Sequence, residues 1–467
     1  MDRYSRGMTG KTPGNPGGGT FAFWRRVVLP SEFRRLAEKF RGAGEELWFC
    51  GGTVRDLFLG RRPGDLDLAT TAEPESAAEL LGREVLEGEQ PGRPYGSLHG
   101  KLAGRPFELT SLRAEGRYVD GRRPFACRFL RDPKIDAHRR DFTCNALYLG
   151  PADGKLLDPL GGLRDLRARR LRVIGEGENR FREDPLRILR GLRLAASLDL
   201  VPDRATWTAI RACSGEVGRV PKERAFLELT ALLTGRGRGR GLLLLEKAGI
   251  LPHILPEAAA LVGVPQPRNY HPEGDVFRHT CLVLAHLEEP PSGSLAWAAL
   301  CHDFGKPETL DASGDRIRFH GHDRLSADMA RACLLRFHAP ADLREEVVEL
   351  CAFHIGIASF ESFRPSRREA FLRSPLFPSH LALHRADCLA SHRKLDLHKI
   401  MLDAWKTLDP EPLPPLLTGK DLLALGYAQG PRIGEALARI ADARAAGRIR
   451  DATEALRMAR ELLSGDS

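Results

Sequence analysis

A chain of 467 residues is too long for one ordinary core, so three or four folding units are expected. Hydrophobic content of 42% and charged content of 28% are those of a globular protein, and aromatic content of only 7% disfavours base-stacking in the manner of small RNA-binding modules. The net charge of +9 suits a polyanionic partner, RNA or DNA.

No window approaches the roughly 18 continuous apolar residues of a membrane span. The nine cysteines form no Cys-x-x-Cys pair, and Cys50, Cys281, Cys301 and Cys333 sit in apolar context. They read as reduced core residues of a cytosolic, hence cytoplasmic, protein rather than as zinc ligands or disulfides.

Residues 1–22 are Gly- and Pro-rich, lack the apolar core of a signal peptide and are expected to form a disordered leader. Residues 23–150 make the first unit. Pro30-Ser31 start a helix with Phe33, Leu36, Ala37 and Phe40 at helical spacing. Leu47-Trp48-Phe49-Cys50 is an apolar run short enough for a buried strand. Gly51 and Gly52 end it in a turn through which backbone can approach a ligand, and residues 54–59 add one or two helical turns, stopped by Gly60. A second strand holds Asp65-Leu66-Asp67-Leu68, with both carboxylates on one face and both leucines in the core.

Two carboxylates so placed repel each other unless a cation lies between them. Mg²⁺ takes oxygen ligands and leaves room for phosphate. Alone, an Asp-x-Asp strand is better read as solvated carboxylates. With the N–H groups of a Gly-Gly turn and Arg55 just upstream, it points to metal-assisted nucleotidyl transfer.

A helix is expected over residues 75–81 and strands or hairpins over 93–112. The clearest strand is Phe107-Glu108-Leu109-Thr110, whose Glu108 is either a third metal carboxylate or a cross-strand surface residue. Residues 113–140 are arginine-heavy and flexible, broken by Gly116 and Asp120-Gly121. A new element opens at 139–147, and residues 158–166 turn into a helix.

From about residue 165 the pattern is helical. A neck is expected over 151–265. Within it, Ile188, Leu189, Leu192, Ala195 and Ala196 line one helix face, and Asp184, Arg187, Arg190 and Arg193 the opposite one. That stripe is either a solvated face capped by Asp184 or a nucleotide surface; three arginines to one acid favour the nucleotide. Residues 235–241, Gly-Arg-Gly-Arg-Gly-Arg-Gly, look like a mobile basic link. Pro-rich stretches at 265–275 and 409–415 bound a unit of residues 266–405. Residues 406–467 form a helical tail carrying Arg432, Arg439, Arg444, Arg448 and Arg450.

Most histidines fall in the 266–405 unit. Besides His320, His322, His354 and His384, the set His279, His302, Asp303 and Asp387 offers imidazole and carboxylate ligands suited to Mn²⁺, Fe²⁺, Ni²⁺ or Zn²⁺. Any one of these histidines is better explained as a helix cap or a core hydrogen bond; the set is not.

Five segments in order resemble the class II nucleotidyltransferases, the family of bacterial CCA-adding tRNA nucleotidyltransferases and poly(A) polymerases. They are Gly51-Gly52-Thr53-Val54-Arg55-Asp56 with Asp65-x-Asp67, Arg139-Arg140-Asp141-Phe142-Thr143-x-Asn145-Ala146, residues 158–166, Glu183-Asp184-x-x-Arg187-x-x-Arg190-x-x-Arg193, and the His-Asp unit, which is similar to the HD phosphohydrolases.

The resemblance implies an α+β protein. A nucleotidyltransferase head of mixed sheet and helices would precede all-helical neck, HD and tail domains. It implies that Asp65 and Asp67 bind Mg²⁺, that Gly52 and Arg55 hold the triphosphate, and that Arg139 and Arg140 bind phosphate or brace the base-reading helix. Asp184 and Arg187 would read the base, with Arg190 and Arg193 extending the basic strip. The implied partners are tRNA, CTP and ATP, with no DNA, membrane or protein partner. Residues 113–128 resemble the family's flexible loop, which argues against an enzyme adding only C. An A-adding enzyme or poly(A) polymerase is the alternative within the family, and an HD-type metal-dependent phosphohydrolase, using Mn²⁺ or Ni²⁺, is the alternative outside it.

Overall fold

The structure is a computed structural model, described here over residues 31–64, 66–115, 127–267, 271–313, 316–409 and 414–464. Asp65, the leader, most of the loop read as flexible and Pro410 to Leu413 lie outside the described residues. The chain divides into two compact units between Val220 and Pro221, inside the stretch expected to be neck.

In the first unit, α1 (Ser31–Gly42) buries Phe33, Leu36, Ala37 and Phe40, the four positions marked by helical spacing. Its Phe33 ring lies 5.4 Å from Phe49 and 6.3 Å from Phe107, so the helix covers one face of the sheet. β1 (Leu47–Cys50) is buried along its whole length, which requires apolar residues facing both ways. It runs straight into α2 (Gly51–Phe58). The glycine pair expected to make a separate turn is instead the first residues of this helix, with Gly51 at φ +59°.

β2 (Leu66–Thr70), α3 (Pro74–Leu81), β3 (Ser97–Leu102) and β4 (Arg105–Ser111) follow. β5 (Arg113–Glu115) and β6 (Cys127–Phe129) pair antiparallel on either side of residues 116–126. After α4 (Pro133–Arg139), β7 (Tyr148–Leu149) and β8 (Leu156–Leu157) complete a six-stranded sheet in the order β3-β4-β2-β1-β7-β8. The β2/β4 pair is parallel and the others antiparallel, so the sheet is mixed.

The helices α5 (Gly162–Arg167), α6 (Gly177–Glu183), α7 (Leu186–Ser197) and α8 (Arg204–Ala212) close the unit. The turn read at 158–166 has a clear cause. Asp158 accepts from the Gly162 and Leu163 N–H groups, satisfying donors at the start of α5.

Among the described residues, the second unit is helical apart from one short two-stranded ladder. It runs through α9 (Lys222–Thr234), α10 (Arg238–Lys247), the short α11 (Leu251–Ile254) and α12 (Pro256–Ala260), then α13 (Val276–His286) and α14 (Gly293–Cys301). Next come α15 (His322–Arg336), α16 (Ala341–Phe353), α17 (Pro365–Leu372), α18 (Phe377–Ala390) and α19 (Asp396–Lys406). α20 (Gly419–Ala424), α21 (Pro431–Ala445) and α22 (Ala452–Ser464) share a small core around Leu422, Tyr427 and Ile440.

The Gly-Arg repeat at 235–241 is not a free link: most of it forms the first turns of α10. Its glycines serve packing. A Cβ on Gly239 would stand 2.2 Å from the Cys281 carbonyl oxygen, and one on Gly241 2.7 Å from Leu232. Arg238 is buried and donates to the carbonyls of Leu284 and Leu287, at the end of α13. Composition suggested mobility because glycine is permissive; here close helix contact uses the missing side chain.

Among the described residues, no helix is long and apolar enough to cross a membrane. Cys50, Cys144, Cys213, Cys281, Cys301, Cys333, Cys351 and Cys388 are free and buried, as the apolar context of Cys50, Cys281, Cys301 and Cys333 implies.

Candidate functional site

The first unit contains a cavity of about 480 Å³ at the junction of β1, β2 and α2. The two glycines bring the start of α2 against Asp67. The Gly52 N–H donates to Asp67 Oδ2 at 3.0 Å, and the Asp67 N–H donates to Thr53 Oγ1 at 2.7 Å. A Cβ on Gly52 would lie 3.1 Å from that same carboxylate oxygen, and one on Gly51 3.1 Å from Arg140 Nη1. Side chains at either position would crowd the charged groups.

On β2, Leu66 and Leu68 are buried while Asp67 between them is half-buried, as alternation predicts. The parallel register sets Asp67 beside Glu108 of β4, and both line the cavity with Thr110. Burial raises the Asp67 carboxyl above its ordinary range; Arg140 opposes this and Glu108 reinforces it. A pair of facing carboxylates fits a hard divalent cation that takes oxygen ligands. Cys50 also lines the cavity, but burial pushes its thiol up to about 11, so it remains a neutral thiol and a poor ligand.

Arg139 ends α4 and Arg140 follows it. Asp136, three and four residues earlier, lies on the same side and is fully buried. Its Oδ1 accepts from Arg139 Nε at 2.7 Å, and its Oδ2 accepts from the Tyr148 hydroxyl at 2.7 Å and lies 3.3 Å from Arg140 Nε. Arg140 donates further to the Tyr148 oxygen at 3.1 Å and the Asn145 carbonyl at 3.2 Å, with its guanidinium 5.0 Å from the centre of the Tyr148 ring. Burial alone would raise the Asp136 carboxyl, but the charges of Arg139 and Arg140 hold it below the ordinary carboxylate range.

A second chain of bonds crosses the cavity. Arg55 Nη1 donates to Asn145 Oδ1 at 2.7 Å while its Nε pairs with Asp56 at 2.9 Å. Asn145 Nδ2 donates to Asp141 Oδ1 at 3.0 Å, and Asp141 Oδ2 accepts from Arg190 Nε at 2.9 Å.

Asp184 precedes α7 and accepts from the Leu186 N–H at 3.1 Å, so it helps to start the helix as the solvated-face alternative held. That alternative fails for Arg187, which is only 6% exposed. Arg187 Nη1 donates to the Arg180 carbonyl and to Glu183, each at 2.9 Å. Asp184, Arg187, Arg190 and Arg193 line the same cavity as Asp67. Gly52, Arg55, Arg139 and Arg140 do so too, so residues scattered over more than a hundred positions share one space. Asp136, Tyr148 and Arg180 were not singled out from the sequence. The spacing of Asp136 to Arg139 and Arg140 on one helix was the available signal.

The second unit gathers its own cluster. His279 comes from α13, His302 and Asp303 follow α14, His322 starts α15, His354 follows α16 and Asp387 lies on α18. His279 Nε2 is 3.1 Å from Asp387 and 3.8 Å from Asp303, and His302 Nε2 is 3.3 Å from Asp303. Burial disfavours charge on His279, but bonds to Asp387 and Glu273 outweigh it and push the imidazole up to about 9. Of the other histidines noted in the sequence, His320 is exposed and His384 packs against Cys388.

Residues 47–172 match the family model of the poly A polymerase head domain, residues 199–261 that of a probable RNA and SrmB-binding site of polymerase A, and residues 276–390 the HD domain. The chain is 36% identical over 428 residues to a CC-adding tRNA nucleotidyltransferase of Thermus thermophilus, covering 87% of this chain and 91% of that one. It is 34% identical over 429 residues to an A-adding tRNA nucleotidyltransferase of Deinococcus radiodurans, covering 87% and 93%. The fold is also that of the Bacillus stearothermophilus CCA-adding enzyme crystallised with CTP, at 24% identity and a TM-score of 0.72, covering 93% of this chain and 98% of that one. With the head, the cavity and the HD cluster in place, this chain belongs to the tRNA nucleotidyltransferase family.

Proposed function

We propose that the chain builds or repairs the 3′-CCA end of tRNA, transferring CMP and AMP from CTP and ATP and releasing pyrophosphate. The observation that carries this reading is one cavity in which Asp67, Arg140, Asp184 and Arg187 converge. Asp67, with Asp65, would hold Mg²⁺. When bound, that ion would activate the attacking 3′-hydroxyl and neutralise charge on the departing pyrophosphate.

The protein's own part is placement. Arg140 is fixed by Asp136 and Tyr148 before substrate arrives, so its charge costs little to organise around the phosphates. Arg55, Arg139 and the start of α2 complete the triphosphate side. Asp184 accepts from the exocyclic amine that C and A share, and Arg187, braced by Glu183, donates to ring acceptors. G and U present the opposite pattern. One amine-reading pair suits both CTP and ATP. Exposed Arg432, Arg439, Arg448 and Arg450 in the tail would meet tRNA phosphates, and binding should weaken with salt. The cytoplasm is the proposed compartment.

The test offers tRNA ending before CCA, tRNA ending in CC and an unrelated RNA, with CTP, ATP or both. Stepwise addition of C, C and A followed by a stop supports the reading. Long A tracts on the unrelated RNA would overturn it.

The meeting of His279, His302, Asp303 and Asp387 in the second unit favours a further activity, phosphoester hydrolysis with Mn²⁺ or Ni²⁺. Loss of Mn²⁺-dependent hydrolysis in Asp303→Ala, with nucleotide addition retained, is the expected result.

A further inference from the structure

We infer that the second unit carries a nucleotide-binding site of its own, in the cavity between α13 and the turn that ends α18, where Arg393 and Lys394 hold the phosphates and Leu282 and Leu389 the base. No residue of this cavity lines the one that opens onto the HD cluster, and the inference does not depend on the reaction proposed for the head.

The first observation is the space and its walls. The cavity measures about 840 Å³, more than the 480 Å³ of the head's cavity and inside the roughly 300–1,000 Å³ of small-molecule sites. Leu282 of α13 and Leu389 of α18 are half-buried and line it, so apolar surface faces the space. His286 stands one helical turn after Leu282, on the same face of α13, and lines the same wall. Residues 391–394, just past the end of α18, supply the polar side.

The second observation is charge without compensation. Arg393 and Lys394 are exposed, and neither has an ion-pair partner among the described residues. Glu273 is the one acid among the described lining residues. Its Oε1 is already engaged, 2.9 Å from His271 Nδ1 and 2.8 Å from His279 Nδ1. The excess is felt at His286, where burial, then the charges of Arg393 and Arg385, hold the imidazole below its ordinary value. His392 adds a donor. The Lys394 N–H donates to its Nδ1 at 3.0 Å, so in the neutral ring the proton sits on Nε2. A guanidinium, an ammonium and an imidazole N–H all donate, and such a set matches the oxygens of a phosphate.

The third observation is the backbone of Arg393. Its φ is +62°, the left-handed conformation that glycine commonly supplies after a helix end. The Arg393 N–H donates to the Cys388 carbonyl at 2.7 Å, which holds the turn in place. A side chain is strained in this conformation where glycine is not, and strain of this kind collects at ligand sites.

Together the walls select a class of ligand. Inorganic phosphate would leave the leucine wall wet, and an apolar molecule would leave the donors without acceptors. A phosphorylated nucleoside meets both, with its base against Leu282 and Leu389 and the His286 ring beside it.

The test counts ATP bound to the full chain by equilibrium dialysis, at saturating ATP, for the parent and for Arg393→Gly. The expected result is one ATP fewer per chain in the variant, with a melting temperature no lower than the parent's because glycine suits the left-handed turn. Lys394→Glu, which leaves that turn intact, should weaken the same ATP by about tenfold or more. Equal counts and affinities in the parent and both variants overturn the site. Displacement of this ATP by an equal concentration of pyrophosphate overturns the hold on the base, and with it the nucleotide. Weaker binding of tRNA to Arg393→Gly without loss of an ATP assigns the surface to RNA and overturns the inference as well. A head that binds no ATP would lower every count alike, so failure of the reading proposed for the head leaves the difference between parent and variant intact.

Discussion

Arg190 and Asp141, 49 residues apart, are joined through a single carboxylate oxygen, which lies 2.9 Å from both Arg190 Nε and Arg190 Nη2. The other oxygen of Asp141 accepts from Asn145. This one side chain therefore couples α7, proposed to read the base, to the loop that carries Arg55's partner. Burial would raise the Asp141 carboxyl, but Arg190's charge and the bonds from Asn145 and the Phe142 N–H bring it down to about 2.

A pH prediction follows from the direction of that shift. The folded value lies below the ordinary value of 3.8, so the stabilisation is present above about pH 4 and is lost as pH falls towards 2. Because Arg190 is part-exposed, the contribution is about 1–2 kcal/mol. Asp141→Asn should lower stability by that amount at pH 7 and flatten the stability profile between pH 4 and 2. Urea unfolding across this range is the measurement; an unchanged slope would show that Asp141 is not the group responsible.

Tyr148→Phe removes the hydroxyl that joins Asp136 to Arg140 without removing either charge. The loss of about one net hydrogen bond, roughly 1 kcal/mol, should reduce kcat/KM for nucleotide addition about five- to tenfold. Single-nucleotide incorporation with CTP and with ATP reads it, and both should fall together because the phosphate side is common to them. A defect confined to one nucleotide would contradict this placement.

Asp67→Ala should abolish nucleotide addition, by about a thousandfold or more if both metal and phosphate placement depend on it. The fold should survive, since the change removes a half-buried carboxylate that Glu108 already disfavours. Incorporation assays alongside thermal melting separate the two effects, and retained incorporation would remove Asp67 from the chemistry.

Gly239→Ala should destabilise the second unit by about 1–3 kcal/mol, because its Cβ would meet the Cys281 carbonyl at 2.2 Å. Were residues 235–241 the free link that their composition suggests, the melting temperature would not move. Calorimetry of the full chain distinguishes the two.

The legible parts of this molecule were those written in short local patterns. Leu47 to Cys50 declared a buried strand by unbroken apolarity. The alternation of Leu66, Asp67 and Leu68 declared that Asp67 faces away from the core, and the spacing of Phe33, Leu36, Ala37 and Phe40 declared the buried face of α1. The Gly-Arg repeat misled because glycine's role in close packing looks identical, in one dimension, to its role in a flexible link. Asp136 was missed because its importance comes from Tyr148, twelve residues away, as much as from its neighbours on α4. His322 and His354 could be seen as histidines, but only the fold reveals that backbone carbonyls hold their outer nitrogens.

The pairing of β2 has a consequence for quality control. Phe49 faces Leu68 on one side of the strand, and Glu108 faces Asp67 on the other. A slip of one residue would turn Asp67 into the core and push its flanking leucines into the cavity. An out-of-register head therefore could not be a slow enzyme of altered specificity. It would be silent and unstable together, since the same slip removes a carboxylate from the cavity and two leucines from the core.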